Sequence, residues 1–406
     1  MKFIDALYGE IEIPIDKNIL TLPELQRLRE IRLCNINSPF ITGACNINRF
    51  EHAIGTCFLA DRYCRLNKIT TNKDVFIIAS LLHDIVTPPF GHSFEYIYEA
   101  LEKTQYEHAN LETFFTGETI QHNLPYYMGE KSRIKRNTAP FDRDSVYKIL
   151  NGNHTLSNIL VNDIDIDNID NVFRLALHIG INFDKSTPTD LIDNITFHDS
   201  KIKCNDDVIY LIEEWFRVRE LLYIYLLENE YEFSAKAILE RIVIDMIKDD
   251  TIEVEDWFLT DSQFIQVAFN SKNKYIKKNI TRLMTMDFPC SHTIYTTNDI
   301  SNIDTFQKEK IHFLNKCYEK YGVFVHFIRD VNKTRRPIKV ESLKTGKNYT
   351  IGKKIDRYLI GMFADIPEAK TKDIFKAIKS ELSNLLGINI EELSGSESPA
   401  QQLSLF

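Results

Sequence analysis

Three features are missing from this sequence, and each absence excludes a class of protein. No run of about 18 apolar residues occurs, so we expect no membrane span. The net charge of −9, from 49 Lys and Arg against 58 Asp and Glu, excludes a uniformly basic surface for nucleic acid. The opening MKFIDALYGEIEIPID lacks the cationic and apolar regions of a signal peptide.

Paired cysteines are missing as well. None of the seven cysteines forms a C-x-x-C pair, which disfavours a zinc ribbon or a thiol redox motif. An odd, scattered set fits free thiols in a reducing cytoplasm, so we expect a cytoplasmic protein. Hydrophobic residues make up 44% and charged residues 26%, as in ordinary globular proteins.

The first 260 residues have the apolar spacing of helices. In segment 21–34, Thr21 is an N-cap candidate, and 73–84 is apolar nearly all round, as in a buried helix. Pro88 and Pro89 stop that helix. Further helices are predicted at 48–66, from about Gly91 to Lys103, and at 107–122, 157–181 and 207–248. The polar, basic segment 131–152 is interpreted as an insertion or flap.

The remainder of the chain is mixed. YGVFVHFIRD, IKVES and NYTIG have the composition of strands, and 368–386 that of a helix. The sequence therefore predicts a mostly α fold with a helical core at 1–260, a smaller α+β unit at 261–390 and a flexible tail at 391–406.

One stretch, LLHDIVTPPFGHSFE at 81–95, puts adjacent His83 and Asp84 at the end of a buried helix. Imidazole and carboxylate ligate divalent metals, and His52 and Asp167 lie on neighbouring predicted helices. Each residue alone has a simpler explanation. A single buried His is more often a core residue, and an acid-rich stretch is usually a solvated helix start.

The combination is more specific. FEHAIGT, LLHDI, PPFGHSFE, YEH and DIDNID follow in order, and this resembles the HD-domain phosphohydrolase superfamily with its H…HD…D ligands. QRLREIRLC and NRFEHAIG resemble the deoxynucleoside triphosphate triphosphohydrolases of the sterile-alpha-motif HD type. HDIVTPPFGHSFE is closer to the bacterial deoxyguanosine-triphosphate triphosphohydrolases.

The resemblance, which covers about residues 20–260, implies roles for individual residues. It makes four residues the metal ligands: His52, His83, Asp84 and Asp167. It makes three residues catalytic, with Glu95 orienting His92: His92, Glu95 and His108. Arg49 matches a phosphate-contacting arginine, a role that suits a planar guanidinium. The alternatives are a surface carboxylate for Glu95 and a core or capping role for His108.

The chain also departs from the family pattern. Val86 and Thr87 replace a Gly-His or Gly-Asn pair after HDI. At the substrate-binding positions, Asn168 and Asn171 replace an expected Lys and Tyr. Leu33 and Cys34 stand where the family has a Gln-Leu pair beside base and sugar. These changes spare the metal ligands but bear on the identity of the substrate.

The resemblance implies a divalent cofactor (Mn²⁺, Mg²⁺, Fe²⁺ or Zn²⁺), a homo-oligomer, and attack at the α-phosphorus of a deoxynucleoside triphosphate. Three basic segments are either solvated faces or sites for polyphosphate, an effector nucleotide or single-stranded DNA: 131–136, 272–282 and 332–339.

The last five residues, Gln402, Leu403, Ser404, Leu405 and Phe406, resemble the pentapeptide with which bacterial proteins bind the DNA sliding clamp. The alternative is a tail that packs on its own domain or stays disordered. Three functions therefore remain open: a triphosphohydrolase recruited to the clamp, an HD-type nuclease acting on DNA ends, and a nucleotide-sensing or DNA-scaffolding protein.

Overall fold

The computed structural model describes most of the chain. The described ranges are 1–34, 40–95, 97, 111–112, 115, 127–130, 132–134, 136–162, 164–198, 201–298 and 303–393. His108 and the pentapeptide Gln402–Phe406 lie outside these residues, as do the ends of the predicted helices at 91–103 and 107–122.

Helices dominate the described ranges. They are α1 (Lys17–Leu20), α2 (Pro23–Arg27), α3 (Arg49–Leu66), α4 (Lys73–Leu82), α5 (Arg143–Leu150), α6 (Ser157–Leu160), α7 (Ile166–Ile179), α8 (Thr187–Asn194), α9 (Ile209–Glu228), α10 (Glu230–Lys248), α11 (Asp261–Asn270), α12 (Lys274–Thr285), α13 (Ile303–Tyr321) and α14 (Glu368–Leu386). None of the described helices combines the length and apolar character needed to cross a bilayer.

The strands are β1 (Lys2–Asp5), β2 (Gly9–Glu12), β3 (Ile195–His198), β4 (Lys201–Cys204), β5 (Ser291–Thr297), β6 (Val323–Val331), β7 (Ile338–Ser342), β8 (Asn348–Ile351), β9 (Asp356–Ala364) and β10 (Glu391–Glu392). β1 and β2 form a hairpin. One antiparallel sheet has the order β10-β5-β9-β6. The other has the order β3-β4-β7-β8, in which β4 and β7 are parallel.

The sheet β10-β5-β9-β6 is covered by helices on both faces. Phe313 of α13 and Phe375 of α14 pack with Met362 of β9 in one apolar cluster. On the opposite face, Gly361 leaves room for the ring of Phe233 from α10. α10 therefore connects the C-terminal sheet to the helical core, whose buried residues include Trp215 and Phe173.

The mostly α fold with a smaller C-terminal α+β part is confirmed. The helices predicted at 48–66, 73–84 and 368–386 are α3, α4 and α14, and the three predicted strands are β6, β7 and β8. The boundary at residue 260 stays a prediction, although β7 pairs with β4 across it. The segment interpreted as a flap contains the regular helix α5.

The prediction of a single helix over 21–34 is wrong. Thr21 ends α1 instead of capping the next helix, and α2 ends at Arg27 before a short 3-10 turn. The reason is tertiary: the buried guanidinium of Arg27 donates to the carbonyls of Phe258 and Thr87, at 2.7 and 2.8 Å. Helical periodicity in the sequence carries no information about such a contact.

Candidate metal centre

Three helices bring the predicted ligands together. His52 lies in the first turns of α3, which Asn48 caps by accepting from the backbone N–H of Glu51. Asp167 lies in the first turn of α7, capped in the same way by Asp165. His83 and Asp84 follow directly after α4. The two caps fix the first residue of each helix. They therefore also fix the positions of His52 and Asp167 along the helix axes.

The donor atoms lie at the separations expected of ligands of one ion. His52 Nε2 is 2.8 Å from Asp167 Oδ1 and 3.2 Å from His83 Nε2. His83 Nε2 is 3.6 Å from both Asp167 Oδ1 and Asp84 Oδ2. Ligands that bind at about 2.1 Å and at right angles are separated by about 3 Å. Donor atoms of three of the four predicted ligands, His52, His83 and Asp167, all lie within 4.8 Å of one another, a set that fits a divalent cation, and Asp84 adjoins it through His83.

Both imidazoles have their outer nitrogen engaged by hydrogen bonds. His83 Nδ1 lies 2.9 Å from the carbonyl oxygen of Ser80, and His52 Nδ1 lies 2.7 Å from Asp170 Oδ1. In each pair the ring N–H donates to the oxygen. The Nε2 lone pair of each ring is then available to the cluster, as in carboxylate–histidine–metal arrangements.

Asp170 and Arg174 form a buried layer behind His52. Arg174 donates from Nε and Nη2 to the two oxygens of Asp170, both at 2.8 Å. Its Nη1 also donates to Asp5 and Glu51. Asp170 and Arg174 were not predicted as site residues. The available signal was their i, i+4 spacing on α7, which places an acid and a base on one helix face.

Asp84 is held on one side only. Its Oδ1 accepts from Arg49 Nη1 at 2.7 Å and from the hydroxyl of Thr87 at 3.2 Å. Its Oδ2 is buried and accepts no hydrogen bond from any described residue. An uncompensated buried carboxylate oxygen is costly, and a cation would compensate it. Thr87, one of the positions at which the chain departs from the family pattern, therefore helps to hold Asp84 in place.

Side chains from distant parts of the chain fix the turn after α4. Trp257 Nε1 donates to the carbonyl of Val86 at 2.7 Å, and Asp261 accepts from the backbone N–H of Phe90 at 2.8 Å. Phe90 and Gly91 both have positive φ, of 56° and 54°. Pro88 and Pro89 end the helix, and these contacts set the direction of the chain afterwards.

Burial and the neighbouring charges set the protonation of the cluster. Burial raises the pKa of Asp167, but hydrogen bonds from His52 and His83 outweigh it and hold the pKa well below its usual range. Burial also raises the pKa of Asp84, but the charges of Arg49, His83 and His52 together outweigh burial and hold that pKa below its usual range. Burial lowers the pKa of His52, whereas its bonds to Asp167 and Asp170 raise it to about 10. In the protein without bound metal, the His52 imidazole would therefore be protonated at the site where a cation is expected to bind.

His92 and Glu95 form a second polar pair beyond the prolines. His92 Nδ1 and Glu95 Oε2 are 2.6 Å apart, and the His92 side chain is 48% exposed, whereas that of Glu95 is 6% exposed. The alternative of a surface carboxylate for Glu95 is wrong. A buried carboxylate that accepts from Nδ1 fixes the orientation of the ring.

The four residues predicted to bind substrate lie in different surroundings. Asn168 turns back to donate from Nδ2 to both oxygens of Asp165, at 3.0 Å each. The Oδ1 atom of Asn171 is buried and has no hydrogen-bond partner among the described residues. Leu33 and Cys34 are buried at 6% and 7% exposure. Their roles toward a substrate stay predictions.

Arg219 of α9 is a further cation that the sequence did not single out. Its guanidinium lies 4.3 Å from the Tyr223 ring centroid, and Nε and Nη1 are buried without a hydrogen-bond partner among the described residues. One turn earlier, Trp215 Nε1 donates to the carbonyl of Asn168 at 3.4 Å. This contact ties α9 to the end of α7 that carries Asp167.

Comparisons with known proteins agree with this geometry. The HD domain matches residues 49–175, which contain all four proposed ligands, so an HD domain is present in this chain. Two solved structures share the fold. A phosphohydrolase from Bacteroides thetaiotaomicron has a TM-score of 0.64 at 16% identity, covering 90% of this chain and 100% of that one. A hypothetical protein from Aquifex aeolicus has a TM-score of 0.65 at 19% identity, covering 94% and 99%.

Two relatives are similar in sequence. An uncharacterised protein of Methanocaldococcus jannaschii is 23% identical over 334 residues, or 79% of this chain and 67% of that protein. A Dictyostelium discoideum protein named deoxynucleoside triphosphate triphosphohydrolase SAMHD1 homolog is 26% identical over 282 residues. That alignment covers 65% of this chain and half of the relative's length.

Proposed function

We propose that the protein is a metal-dependent phosphohydrolase that converts deoxynucleoside triphosphates to deoxynucleoside and tripolyphosphate. The observation that carries the proposal is the convergence of His52, His83 and Asp167 within 4.8 Å, with Oδ2 of Asp84 buried beside them and accepting no hydrogen bond from a described residue. The name of the Dictyostelium relative supports the substrate class.

The chain's own residues would hold the cofactor from one side. His52 and His83 offer Nε2, and Asp84 and Asp167 offer one oxygen each. A divalent ion bound there would supply Lewis acidity, lowering the pKa of water and offsetting phosphate charge. The Asp170–Arg174 pair keeps His52 oriented, so the donor geometry exists before the substrate arrives.

The negative charge of the substrate phosphates also requires cationic side chains. Arg49 lies against Asp84, which places its guanidinium beside the ligand set, where phosphate oxygens would bind. Arg219, buried and only partly satisfied, is the second candidate. The side chain of Asn168 is committed to Asp165, so it does not replace the lysine expected at its position.

His92 would transfer the proton. Water adds to the α-phosphorus and releases one proton to solvent, the bond from phosphorus to the 5′-oxygen breaks, and His92 protonates that oxygen from Nε2 as the deoxynucleoside leaves. Glu95 accepts from Nδ1–H and so holds the orientation of the ring during this step. The exposure of His92 matches a group that reaches a bound substrate rather than one packed in the core. His108 stays a prediction for the same proton-transfer role.

The test is product analysis with purified full-length protein in Mn²⁺ and, separately, in Mg²⁺. Reactions contain each dNTP alone, the four together, or end-labelled single-stranded DNA, with Asp84→Asn as the control. Deoxynucleoside plus tripolyphosphate, absent with Asp84→Asn, is the expected result. Mononucleotides from DNA with intact dNTPs would instead establish the nuclease. Full function in Asp84→Asn would point to a nucleotide-sensing or scaffolding protein.

The C-terminal Gln402–Phe406 adds a proposal about location: it recruits the enzyme to the DNA sliding clamp. The support is its resemblance to clamp-binding pentapeptides and the Ser/Gly/Pro-rich stretch before it. Leu403, Leu405 and Phe406 suit an apolar pocket on the partner, and Gln402 a polar anchor.

A further inference from the structure

The N-terminal hairpin packs against the buried layer that supports His52. Its strands are β1 and β2, and its apolar residues Leu7 and Ile11 are buried in the main core. The hairpin lies outside residues 49–175, which the HD domain matches. The sequence indicated no role for it, so its contacts with the layer are a finding of the structure.

Asp5, the last residue of β1, forms the turn of the hairpin with one carboxylate oxygen. Its Oδ1 accepts from the backbone N–H groups of Leu7 and Tyr8, at 2.8 and 3.0 Å. Such bonds from an Asp side chain to the backbone of the following residues stabilise a tight turn. The turn ends at Gly9, whose φ of 74° is one that glycine adopts readily. Asp5 Oδ2 therefore remains for a second partner.

That second partner is Arg174 of α7. Arg174 Nη1 donates to Asp5 Oδ2 at 3.0 Å, and the two side chains are 0% and 3% exposed. The same nitrogen donates to Glu51 Oε1 at 2.8 Å, whereas Nε and Nη2 both donate to Asp170. The Glu51 side chain is 25% exposed, so Asp5 is the more deeply buried of the two partners of Nη1.

Tyr8 contacts the same guanidinium with its ring. The ring centroid lies 5.5 Å from Arg174 Cζ, within the range of a cation–π contact. Tyr8 also packs against Phe58 of α3, with ring centroids 5.1 Å apart. The hairpin therefore contacts both α3 and α7, the helices that carry His52 and Asp167.

Arg174 is closely confined between the hairpin and α3. A Cβ on Gly55 of α3 would collide with the side chains of Asp170 and Arg174. A shift of the guanidinium would therefore displace Asp170, which accepts from His52 Nδ1 at 2.7 Å. The contacts lead in order from Asp5 through Arg174 and Asp170 to His52.

The simpler explanation is that the Asp5–Arg174 pair serves folding alone. Buried ion pairs are weak sources of stability, because desolvation offsets much of their attraction. They do fix a geometry, and the orientation of a histidine ligand depends on its hydrogen-bond partner. The position of the pair directly behind that partner favours a role in metal binding.

We propose that the hairpin β1–β2 is part of the metal centre: Asp5 and Tyr8 are positioning residues that hold Arg174 and, through Asp170, the imidazole of His52. The inference rests on the metal ligands of the proposed function and not on its substrate. It is therefore tested by metal binding rather than by turnover.

The experiment is equilibrium dialysis of the full-length protein against Mn²⁺, well below the melting temperature of each variant. Asp5→Asn is the deciding variant, because an amide has one oxygen and must direct its NH₂ group to the turn or to Arg174. We expect the Mn²⁺ affinity to fall about fivefold, less than the roughly 10–100-fold lost when the direct partner of a ligand is removed. Glu10→Gln, which breaks the exposed pair with Lys2 on the same hairpin, is the matched control and should bind like wild type.

Tyr8→Leu is the second variant, because it keeps the backbone N–H groups of the turn and removes the ring from Arg174. It should also lower the Mn²⁺ affinity. Asp5→Asn combined with Asp170→Asn should bind Mn²⁺ no more weakly than Asp170→Asn alone, since both changes act on His52 through the same contact.

Thermal melting in EDTA, recorded for each variant, separates the effect on stability from the effect on metal binding. Wild-type affinity in both Asp5→Asn and Tyr8→Leu would overturn the inference, whatever their melting temperatures. An equal loss in Glu10→Gln, or losses that multiply in the double variant, would also overturn it.

Failure of this inference and failure of the proposed function give different results. Mn²⁺ binding that Asp5→Asn weakens, in a protein that hydrolyses no deoxynucleoside triphosphate, would support the inference and contradict the proposed substrate. A wild-type protein that binds no Mn²⁺ would overturn both the metal centre and the role of the hairpin.

Discussion

The metal centre and the cavity lined by Lys236 and Lys333 are both polar, but their charges are arranged differently. At the metal centre, Arg174 donates to Asp170, Asp5 and Glu51, so the layer behind His52 is neutralised inside the protein. On the inner face, Oδ2 of Asp84 is buried and accepts no hydrogen bond from any described residue. At the cavity, Glu240 lies 2.7 Å from Lys310 and 2.6 Å from His326, so its charge is matched within the protein.

The largest expected effect comes from breaking the metal centre. Asp84→Asn and His52→Ala each remove a ligand and should reduce hydrolysis by at least about 10³-fold, as expected when a group acts as part of a unit. Initial rates with Mn²⁺ measure this. Asp193→Asn, which breaks the ion pair with Arg62 elsewhere on the surface, is the control and should keep full activity. Equal losses in all three variants would contradict the assignment.

Next in size is the loss of proton transfer. His92→Gln should lower the turnover number by about 10²–10⁴-fold while leaving metal binding unchanged. Glu95→Gln keeps the shape of the side chain but weakens the orientation of His92, so its loss should be smaller and should alter the pH profile. A double variant no worse than His92→Gln would confirm that both act in one step. Additive losses would show that they act separately.

A smaller loss of activity is expected from variants in the buried layer of Asp170 and Arg174 that supports His52. Asp170→Asn weakens the hold on His52 and should lower metal affinity by about 10–100-fold. Gly55→Ala tests the same layer from the other side, because a Cβ there would collide with the carboxylate of Asp170 and the guanidinium of Arg174. The metal affinity of both variants is measured by adding metal in steps and following the rate of hydrolysis. Wild-type affinity in Asp170→Asn would show that the layer serves folding alone.

The smallest effect on catalysis is expected at the tail. Deleting Gln402–Phe406 should leave the hydrolysis rate unchanged and remove binding to a bacterial sliding clamp, as measured by surface plasmon resonance. A scrambled pentapeptide is the matched control. Binding that persists after deletion would place the contact elsewhere in the chain.

The two regions differ in how far the sequence revealed them. His83 and Asp84 are adjacent in an ordered motif, and His52 and Asp167 lie on strongly periodic helices, so their convergence could be predicted. The supporting layer could not, because Asp170 and Arg174 look like an ordinary helical ion pair until His52 is placed against them. Thr87 was interpreted as a departure from the family, whereas the structure shows that it holds Asp84.

The cavity was hidden for a different reason. Its lysines come from α10, α13 and the loop after β6, and each lies in a segment with ordinary charge content. Lys333 belongs to the basic segment 332–339, which the sequence left open between a solvated face and a phosphate site. Burial against Lys236 is a tertiary fact that no local pattern encodes.

The most direct test of the central claim is equilibrium dialysis of the full-length protein against Mn²⁺, beside His52→Ala, His83→Ala, Asp84→Asn and the control Asp193→Asn. We expect one tightly bound ion per chain in the wild type and the control, and none in the three ligand variants. Wild-type binding in all of these proteins, or no bound ion in the wild type, would contradict the metal centre.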